Sequence, residues 1–425
     1  MPDLMAVLAE PNRRRLLELL VAGERSVNEL AAHFGVTRSA ISQHLGVLAG
    51  AGLVRARRDG RFRYYRLVPE GMAALRQQLD QFWTSELEQL VSARPKSKGE
   101  AVAAEKSVVV PLGPDETFAL LTEPARLRRW MAVTARVDLR AGGDYRFTVV
   151  PGHSARGTFV EVEPGRRLVF TWGWEGETAV PPGASTVTIT LEPTAGGTLV
   201  RLVHEGLDEE QSASHLEGWT HFLGRLEAAA AAGDAGLDEW AAAPDSLDQL
   251  SAAEASLALC QSVLRGIDDA QGAAPTPCAK FSVDELIDHL VGSVTNLGTA
   301  AGAPAPAADA TASREQRVAD GAQVTLEAWR RRGIDGSVSI GPRELPAAAV
   351  PGILSLEFLV HAWDLARATG QPVEVNEALG EYVLGAARQL IQPAARDGDR
   401  FAAEVEVGPD VDVLDRLAAF TGRAT

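Results

Sequence analysis

Residues 26–67 read SVNELAAHFGVTRSAISQHLGVLAGAGLVRARRDGRFRYYRL, and this stretch decides the fold of the N-terminal region. Ser26 is placed to cap a helix running through Val27, Leu30, Ala31 and Phe34, and Gly35-Val36 makes the turn after it. Thr37 caps a second helix, in which Ile41, Leu45 and Leu48 fall at i, i+4 and i+7 and must face inward. That phase turns Arg38, Ser39, Ser42 and Gln43 outward, with His44 beside them. This is the half of a recognition helix that meets base edges in the major groove. From Leu53 to Val68 the residues alternate around Asp59-Gly60, the strongest short-range hairpin signal. Six arginines against one aspartate give the hairpin a net +5, and Arg55, Arg57, Arg58, Arg61 and Arg63 are its candidates for phosphate contact. Helix, turn, helix and basic hairpin together spell a winged helix-turn-helix whose partner is double-stranded DNA.

The segments EPNRRRLLELL, SVNELAAHFGVTRSAISQHLGVLAGAGLV and RARRDGRFRYYRL closely resemble the ArsR family of bacterial repressors, over about residues 1–92. The resemblance implies a homodimer formed through flanking helices, here about residues 4–21 and 70–90. It also implies a two-fold operator, because a two-fold protein reads a two-fold site. Metal-sensing members carry cysteines in the first helix of the turn motif; the helix Val27–Phe34 has none, so soft-metal sensing there is not expected.

A chain of 425 residues exceeds one core and suggests about three domains. Its charge of −16 divides unevenly: residues 1–95 hold 13 Arg and 10 Asp or Glu, a balance of +3, which leaves −19 for the rest. Nucleic-acid contact is thereby confined to the N-terminal part. Cys260 and Cys278 are the only cysteines, so neither a disulfide framework nor a thiolate zinc site is expected. No apolar run reaches membrane-spanning length, and Arg13-Arg14-Arg15 interrupts any signal-like core, so a cytoplasmic protein is expected. Linker-like composition at 93–105 and an alanine run at 228–234 divide the chain into 1–92, 105–232 and 237–425. A low-complexity stretch at 300–312 reads as a loop within the last part.

The middle part alternates in period two over six or seven segments, from Ser107–Val110 to Gly197–Glu205. Two short helices lie early in it, and a long helix at about Asp208–Ala232 closes it with a stripe of Leu216, Trp219, Leu223 and Leu226. These elements predict an α+β helix-grip. The segments TEPARLRRWM, GTFVEVEPGRRLVFTWGW, GTLVRLVHEGL and HLEGWTHFLGRLEA resemble the SRPBCC (START-like) superfamily, in the branch related to the activator of the heat-shock ATPase. The resemblance implies a small apolar effector held between helix and sheet. The candidate walls are Trp130, Phe147, Phe170, Trp172, Trp219 and Phe222. His153, His204, His215 and His221 sit at no ligand-like spacing and read as structural.

The last part is helical, with four predicted helices at Leu247–Ile267, Ser282–Leu297, Ser313–Arg332 and Ala347–Ala368. Together with a small C-terminal α/β tail they predict an all-α four-helix bundle, making the whole chain a multidomain protein. Glu357 and His361 are i, i+4 on one helix, and His289 lies on the apolar side of another. Two His and one Glu form a three-ligand set with an open fourth position, the pattern of catalytic rather than structural zinc. FSVDELIDHL, LEFLVHAWDLARATGQP and LDRLAAFTGR are similar to the DinB-like bundle of the mycothiol-dependent maleylpyruvate isomerase family. The resemblance implies that His289, Glu357 and His361 bind a divalent metal, usually zinc, with mycothiol as the thiol cofactor. Asp364 and Arg367 lie near the same face as candidates for supporting contacts.

The leading expectation is a ligand-responsive repressor with a small-molecule pocket and a metal-binding bundle. The alternative is a mycothiol-dependent zinc enzyme, an isomerase or S-transferase of detoxification, that regulates its own gene. In that reading zinc holds the thiol sulfur and lowers its pKa. No catalytic residue is legible, because no separate general base can be named from spacing.

Overall fold

In the computed structural model of the chain, the described residues are 11–21, 23–34, 38–59, 62–69, 71–72, 102–244, 246–305, 309, 311–341, 343–393, 396, 401–408 and 411–424. They fall into two compact units, residues 1–99 and 100–425.

The first unit is built as its caps and phases dictate. Helix α1 (Pro11–Val21) leads to a short strand β1 (Arg25–Ser26), then α2 (Val27–Ala31), α3 (Arg38–Gly50), β2 (Val54–Asp59) and β3 (Phe62–Leu67). Ser26 and Glu29 form a reciprocal capping box: the Ser26 amide donates to Glu29 Oε2 at 2.7 Å and the Glu29 amide to Ser26 Oγ at 3.3 Å. Leu16, Leu30, Ile41, Leu45, Leu48 and Leu53 are fully buried, so the i, i+4, i+7 row of α3 does face the core. Gly52 adopts φ 76° just past α3, which lets the Leu53 amide reach back to the Leu48 carbonyl and turn the chain into β2. β3 lies between β1 and β2 in a small antiparallel sheet. The tip residues 60 and 61, the side chain of Ser39, and most of the helix expected at 70–90 lie outside the described residues.

The second unit begins with a seven-stranded antiparallel sheet in the order β4-β10-β9-β8-β7-β6-β5. The strands are β4 (Ala104–Val110), β5 (Thr134–Val137), β6 (Asp144–Val150), β7 (His153–Glu163), β8 (Arg167–Trp172), β9 (Ser185–Thr194) and β10 (Gly197–Glu205). Two short helices, α4 (Pro114–Thr122) and α5 (Pro124–Leu127), separate β4 from β5. The long helix α6 (Glu209–Ala232) starts on a capping box from Asp208 to Gln211 and ends at Gly233 with φ 85°. Its buried members are Trp219, Phe222, Leu223 and Leu226, whereas Leu216 is 37% exposed. The inward face follows 215, 219, 222 and 226, and Leu216 stands about 100° of helix rotation away from His215.

After α7 (Glu239–Ala242) come the bundle helices α8 (Gln249–Arg265), α9 (Val283–Thr299), α10 (Arg314–Arg332) and α11 (Ala349–Thr369), followed by α12 (Glu377–Leu390) and α13 (Val413–Phe420). An antiparallel hairpin, β11 (Ser337–Ile340) and β12 (Arg343–Pro346), links α10 to α11. Among the described residues, the C-terminal tail contributes α13, and 401–408 form neither helix nor strand. Helix α11 is the one described helix long and apolar enough to cross a bilayer, but 83% of its apolar window is buried inside the protein, so it is a core helix.

The sheet and the bundle share a polar interface. Arg128 and Glu315, 1% and 3% exposed, pair at 2.8 Å, and Arg128 also reaches Asp320 at 3.2 Å. Glu254 accepts from the Gly152 amide at 2.8 Å and from Arg330, and Gln261 donates to the Val133 carbonyl at 3.0 Å. The proposed three-part division at 92–105 and 232–237 thus has its second and third parts packed as one unit.

Candidate nucleic-acid interface, cavity and metal centre

On the first unit, Arg38, Ser42 and Gln43 are exposed along α3, and His44 is half-buried beside them. The rigid row Ile41, Leu45 and Leu48 behind them fixes the angle at which they are presented. On the hairpin, Arg55, Arg57, Arg58 and Arg63 are exposed; Arg61 lies outside the described residues. Arg55 stands opposite Arg66 and Arg58 opposite Arg63 across the two strands. Like charges so placed destabilise a sheet unless an anion intervenes, which suits a surface that meets phosphates. Arg57 differs, because Glu24 holds it at 3.1 Å.

In the second unit a cavity of about 380 Å³ opens between α6 and the sheet. Of the six aromatic residues expected to wall it, Trp172, Trp219 and Phe222 do so. Trp130 is turned into the core, donating its indole N–H to the Leu120 carbonyl at 2.9 Å. Phe147 and Phe170 pack on Tyr145, with ring centroids 4.5 and 5.4 Å away, and do not reach the cavity. The strand phase placed them on the right face but could not give their depth.

Trp174, Trp240, His153 and His215 complete the aromatic wall, and no sequence signal had singled out the two tryptophans. Two histidines in or behind the wall have their tautomers set by hydrogen bonds. His215 Nδ1 bonds the Gln211 carbonyl at 2.7 Å, so it carries the proton and leaves Nε2 to accept from Trp174 at 3.2 Å. His204 Nδ1 accepts from Trp219 at 3.1 Å, so its Nε2 donates to Ser185 Oγ at 2.8 Å. Burial, aided by His215, pushes the His204 pKa down to about 3, which keeps it neutral. Trp172 Nε1 is left without a partner. His221 is engaged by Asp238 at 2.9 Å.

The bundle brings His289, Glu357 and His361 together, their ligand atoms all within 4.8 Å of one another. Helix α11 supplies Glu357 and His361 from one face, and α9 supplies His289. Glu357 Oε2 lies 3.6 Å from His361 Nε2 and 3.8 Å from His289 Nε2, yet it is buried and has no hydrogen-bond partner. A tetrahedral ion bound at about 2.1 Å imposes ligand separations of about 3.4 Å, so the two pairs that Glu357 makes need only a small contraction to hold zinc.

Asp364 takes His361 Nδ1 at 3.0 Å and is itself held by both Arg423 Nε and Nη2, at 3.1 and 2.8 Å. This chain fixes the His361 tautomer and aims Nε2 at Glu357. Burial works to lower the His361 pKa, but the Asp364 and Glu357 carboxylates reverse that and lift it to about 9. The pocket therefore favours a positive charge at this point, and the orphaned carboxylate oxygen, the two imidazoles and the carboxylate–histidine support all fit a divalent ion. His289 is 38% exposed and stacks on Phe281, leaving one side of the set open to solvent. Arg367, expected near this site, instead donates to Asp415 at 2.8 Å. Arg423 was the residue missed, although it closes the C-terminal motif quoted above.

Three families match successive parts of the chain. Residues 10–56 match the bacterial regulatory protein family arsR, residues 111–231 the activator of Hsp90 ATPase homolog 1-like proteins, and residues 252–366 the mycothiol maleylpyruvate isomerase N-terminal domain. An HTH-type transcriptional regulator of Mycobacterium tuberculosis is 50% identical over 80 residues, 19% of this chain and 75% of that protein. An uncharacterized protein of Mycobacterium tuberculosis is 32% identical over 181 residues, 42% of this chain and 98% of its own length. Among solved structures, an AHSA1-like protein of Rhizobium etli is 41% identical, covering 35% of this chain and 91% of its own, with a TM-score of 0.29.

Proposed function

We propose that this chain, which belongs to the bacterial arsR regulatory family and carries Hsp90-ATPase-activator-like and mycothiol maleylpyruvate isomerase-type domains behind its winged helix, is a dimeric repressor whose operator affinity is set by a small apolar effector. It is a DNA-binding transcriptional regulator by family. The observation that carries the DNA-binding reading is the exposed row Arg38, Ser42 and Gln43, braced from behind by buried Ile41, Leu45 and Leu48 and flanked by the wing arginines. Arg38→Ala should cost about 1–3 kcal/mol at one base position, and Arg58→Ala should weaken all sequences alike and lower the salt slope by about one. Fluorescence anisotropy on operator and scrambled duplexes at several salt concentrations separates the two. Equal effects of both variants on both duplexes would remove α3 as the reading element. Its place of action is the cytosol, where its operator lies.

The effector pocket is the cavity beside α6. A concave space walled by Trp172, Trp174, Trp219, Phe222 and Trp240, with His153, His215 and Glu217 as polar groups that can orient a ligand, has the general form of a small-molecule site, and 380 Å³ suits one or two fused rings. The effector acts only if it binds the DNA-competent and DNA-incompetent conformations unequally. Gly218 lines this cavity on α6, and a Cβ built there meets nothing within 4 Å. Gly218→Leu should therefore fill the space without straining the helix, keep or raise the Tm, and abolish the thermal shift given by aromatic ligands. A shift that survives in Gly218→Leu, or that no aromatic ligand gives in the parent protein, would discard the pocket.

A second reading is supported by the His289, Glu357 and His361 set: a zinc-dependent enzyme acting with mycothiol and regulating its own gene. Zinc in this place would supply a site for a thiolate at neutral pH. His289, Glu357 and His361 would hold the ion, Asp364 and Arg423 would orient His361, and the open side at His289 would admit the thiol. In an enzyme, His361→Ala abolishes thiol-dependent turnover and leaves operator affinity unchanged. In a regulator, the same substitution alters operator affinity or effector response, and the parent protein shows no turnover.

A further inference from the structure

The sheet of the second unit carries three arginines in one cross-strand row. Arg136 on β5 stands opposite Arg146 on β6, and Arg146 stands opposite Arg156 on β7. Opposed like charges destabilise antiparallel strands, and carboxylates relieve this row only in part. Arg146, 6% exposed, is fixed by Glu175 at 2.8 Å and by the Ser154 hydroxyl at 2.9 Å. Arg136 pairs with Asp144 at 2.8 Å and approaches Glu327 at 3.4 Å. Arg156 is exposed and makes no side-chain hydrogen bond or ion pair among the described residues.

The last turn of α10 faces this row and adds two further arginines. Glu254 engages Arg330 at 2.6 Å, but Arg331, like Arg156, has no side-chain partner among the described residues. The five arginines, with Glu175 and Glu327, line a cleft of about 360 Å³. The lining alone carries five positive and two negative side chains; with Asp144 and Glu254, the partners of Arg136 and Arg330, the cluster keeps a formal +1 in a chain whose total is −16, and that excess sits on Arg156 and Arg331. It shares no residue with the aromatic cavity or with the histidine–glutamate set. The volume is that of a small-molecule site, and the two unpartnered guanidiniums can each fork onto an oxyanion.

We propose that this cleft binds a small polyanion bearing clustered oxyanions, a phosphorylated or polycarboxylate metabolite. Arg146 is the fixed central charge, and Arg156 and Arg331 close on the ligand from the sheet and from the bundle. Such a ligand cancels the repulsion within the arginine row and ties the two parts of the second unit together.

Isothermal titration of the full chain with inorganic pyrophosphate and with citrate tests this. Saturable one-to-one binding is expected, weakened at least about tenfold in Arg156→Gln and in Arg331→Gln, because each removes a charge-assisted fork. Both side chains are exposed, so the Tm without ligand should stay where it is. The wing variant Arg58→Gln should bind as the parent does. Tighter binding of pyrophosphate assigns a phosphate ligand, and tighter binding of citrate assigns a carboxylate one. Absence of binding at millimolar polyanion, binding indifferent to both cleft substitutions, or binding lost in the wing variant would each overturn the proposal.

Discussion

His361→Ala is expected to abolish stoichiometric zinc binding. The parent protein, stripped and reloaded, should retain about one zinc per chain against a competing chelator, and the variant essentially none. The reason is geometric: removing His361 leaves only Glu357 and His289, 3.8 Å apart, and strands Asp364 and Arg423 with no ligand to orient. Asp364→Asn keeps all three ligands but loosens the one it steers, and should weaken zinc by about 10–100-fold. The raised pKa adds a pH signature. With His361 titrating near 9, zinc at neutral pH must displace a proton, so affinity climbs as pH rises toward that value and flattens above it. Calorimetry in buffers of different ionisation enthalpy should reveal that released proton. Full zinc retention by His361→Ala would place any metal elsewhere.

Glu315→Ala should destabilise the second unit by about 3–5 kcal/mol, because it leaves the Arg128 guanidinium buried and deprived of its main partner. Arg128 is only 1% exposed, and its remaining acceptor, Asp320, is itself 57% exposed. Replacing both members by apolar residues of similar size, Arg128→Met with Glu315→Leu, should restore most of the loss, since the cost lies in the unpaired charge. Urea unfolding read at both far- and near-ultraviolet wavelengths measures this. A loss below about 1 kcal/mol in Glu315→Ala would mean that the pair is hydrated and does not hold sheet and bundle together.

What the sequence made legible was local. Ser26 marks a helix start, and the helices expected from Ser282 and from about Asp208 also begin on N-cap residues at those positions. The i, i+4 pair Glu357 and His361 needs only helix geometry to share a face. What stayed hidden depends on contacts across long separations. Arg128 meets Glu315 and Asp364 meets Arg423 through folding that no periodicity encodes. The row Arg136, Arg146 and Arg156 requires the strand register, which alternation leaves undetermined. Alternation also gave Phe147 and Phe170 their face but not their distance from the cavity. The hairpin β11–β12 escaped notice because its strands are four residues each and mostly exposed, with little apolar pattern to read.

A braced α3 and an arginine wing that read a two-fold operator should show it in binding. The most direct test is the affinity of the purified chain for its own promoter, measured against a scrambled duplex over a series of salt concentrations. Tight binding of one dimer to an imperfect palindrome is expected, with log affinity falling linearly in log salt as several phosphate contacts are made. Binding that does not change with salt, or that fails to distinguish the promoter from the scrambled duplex, would contradict it.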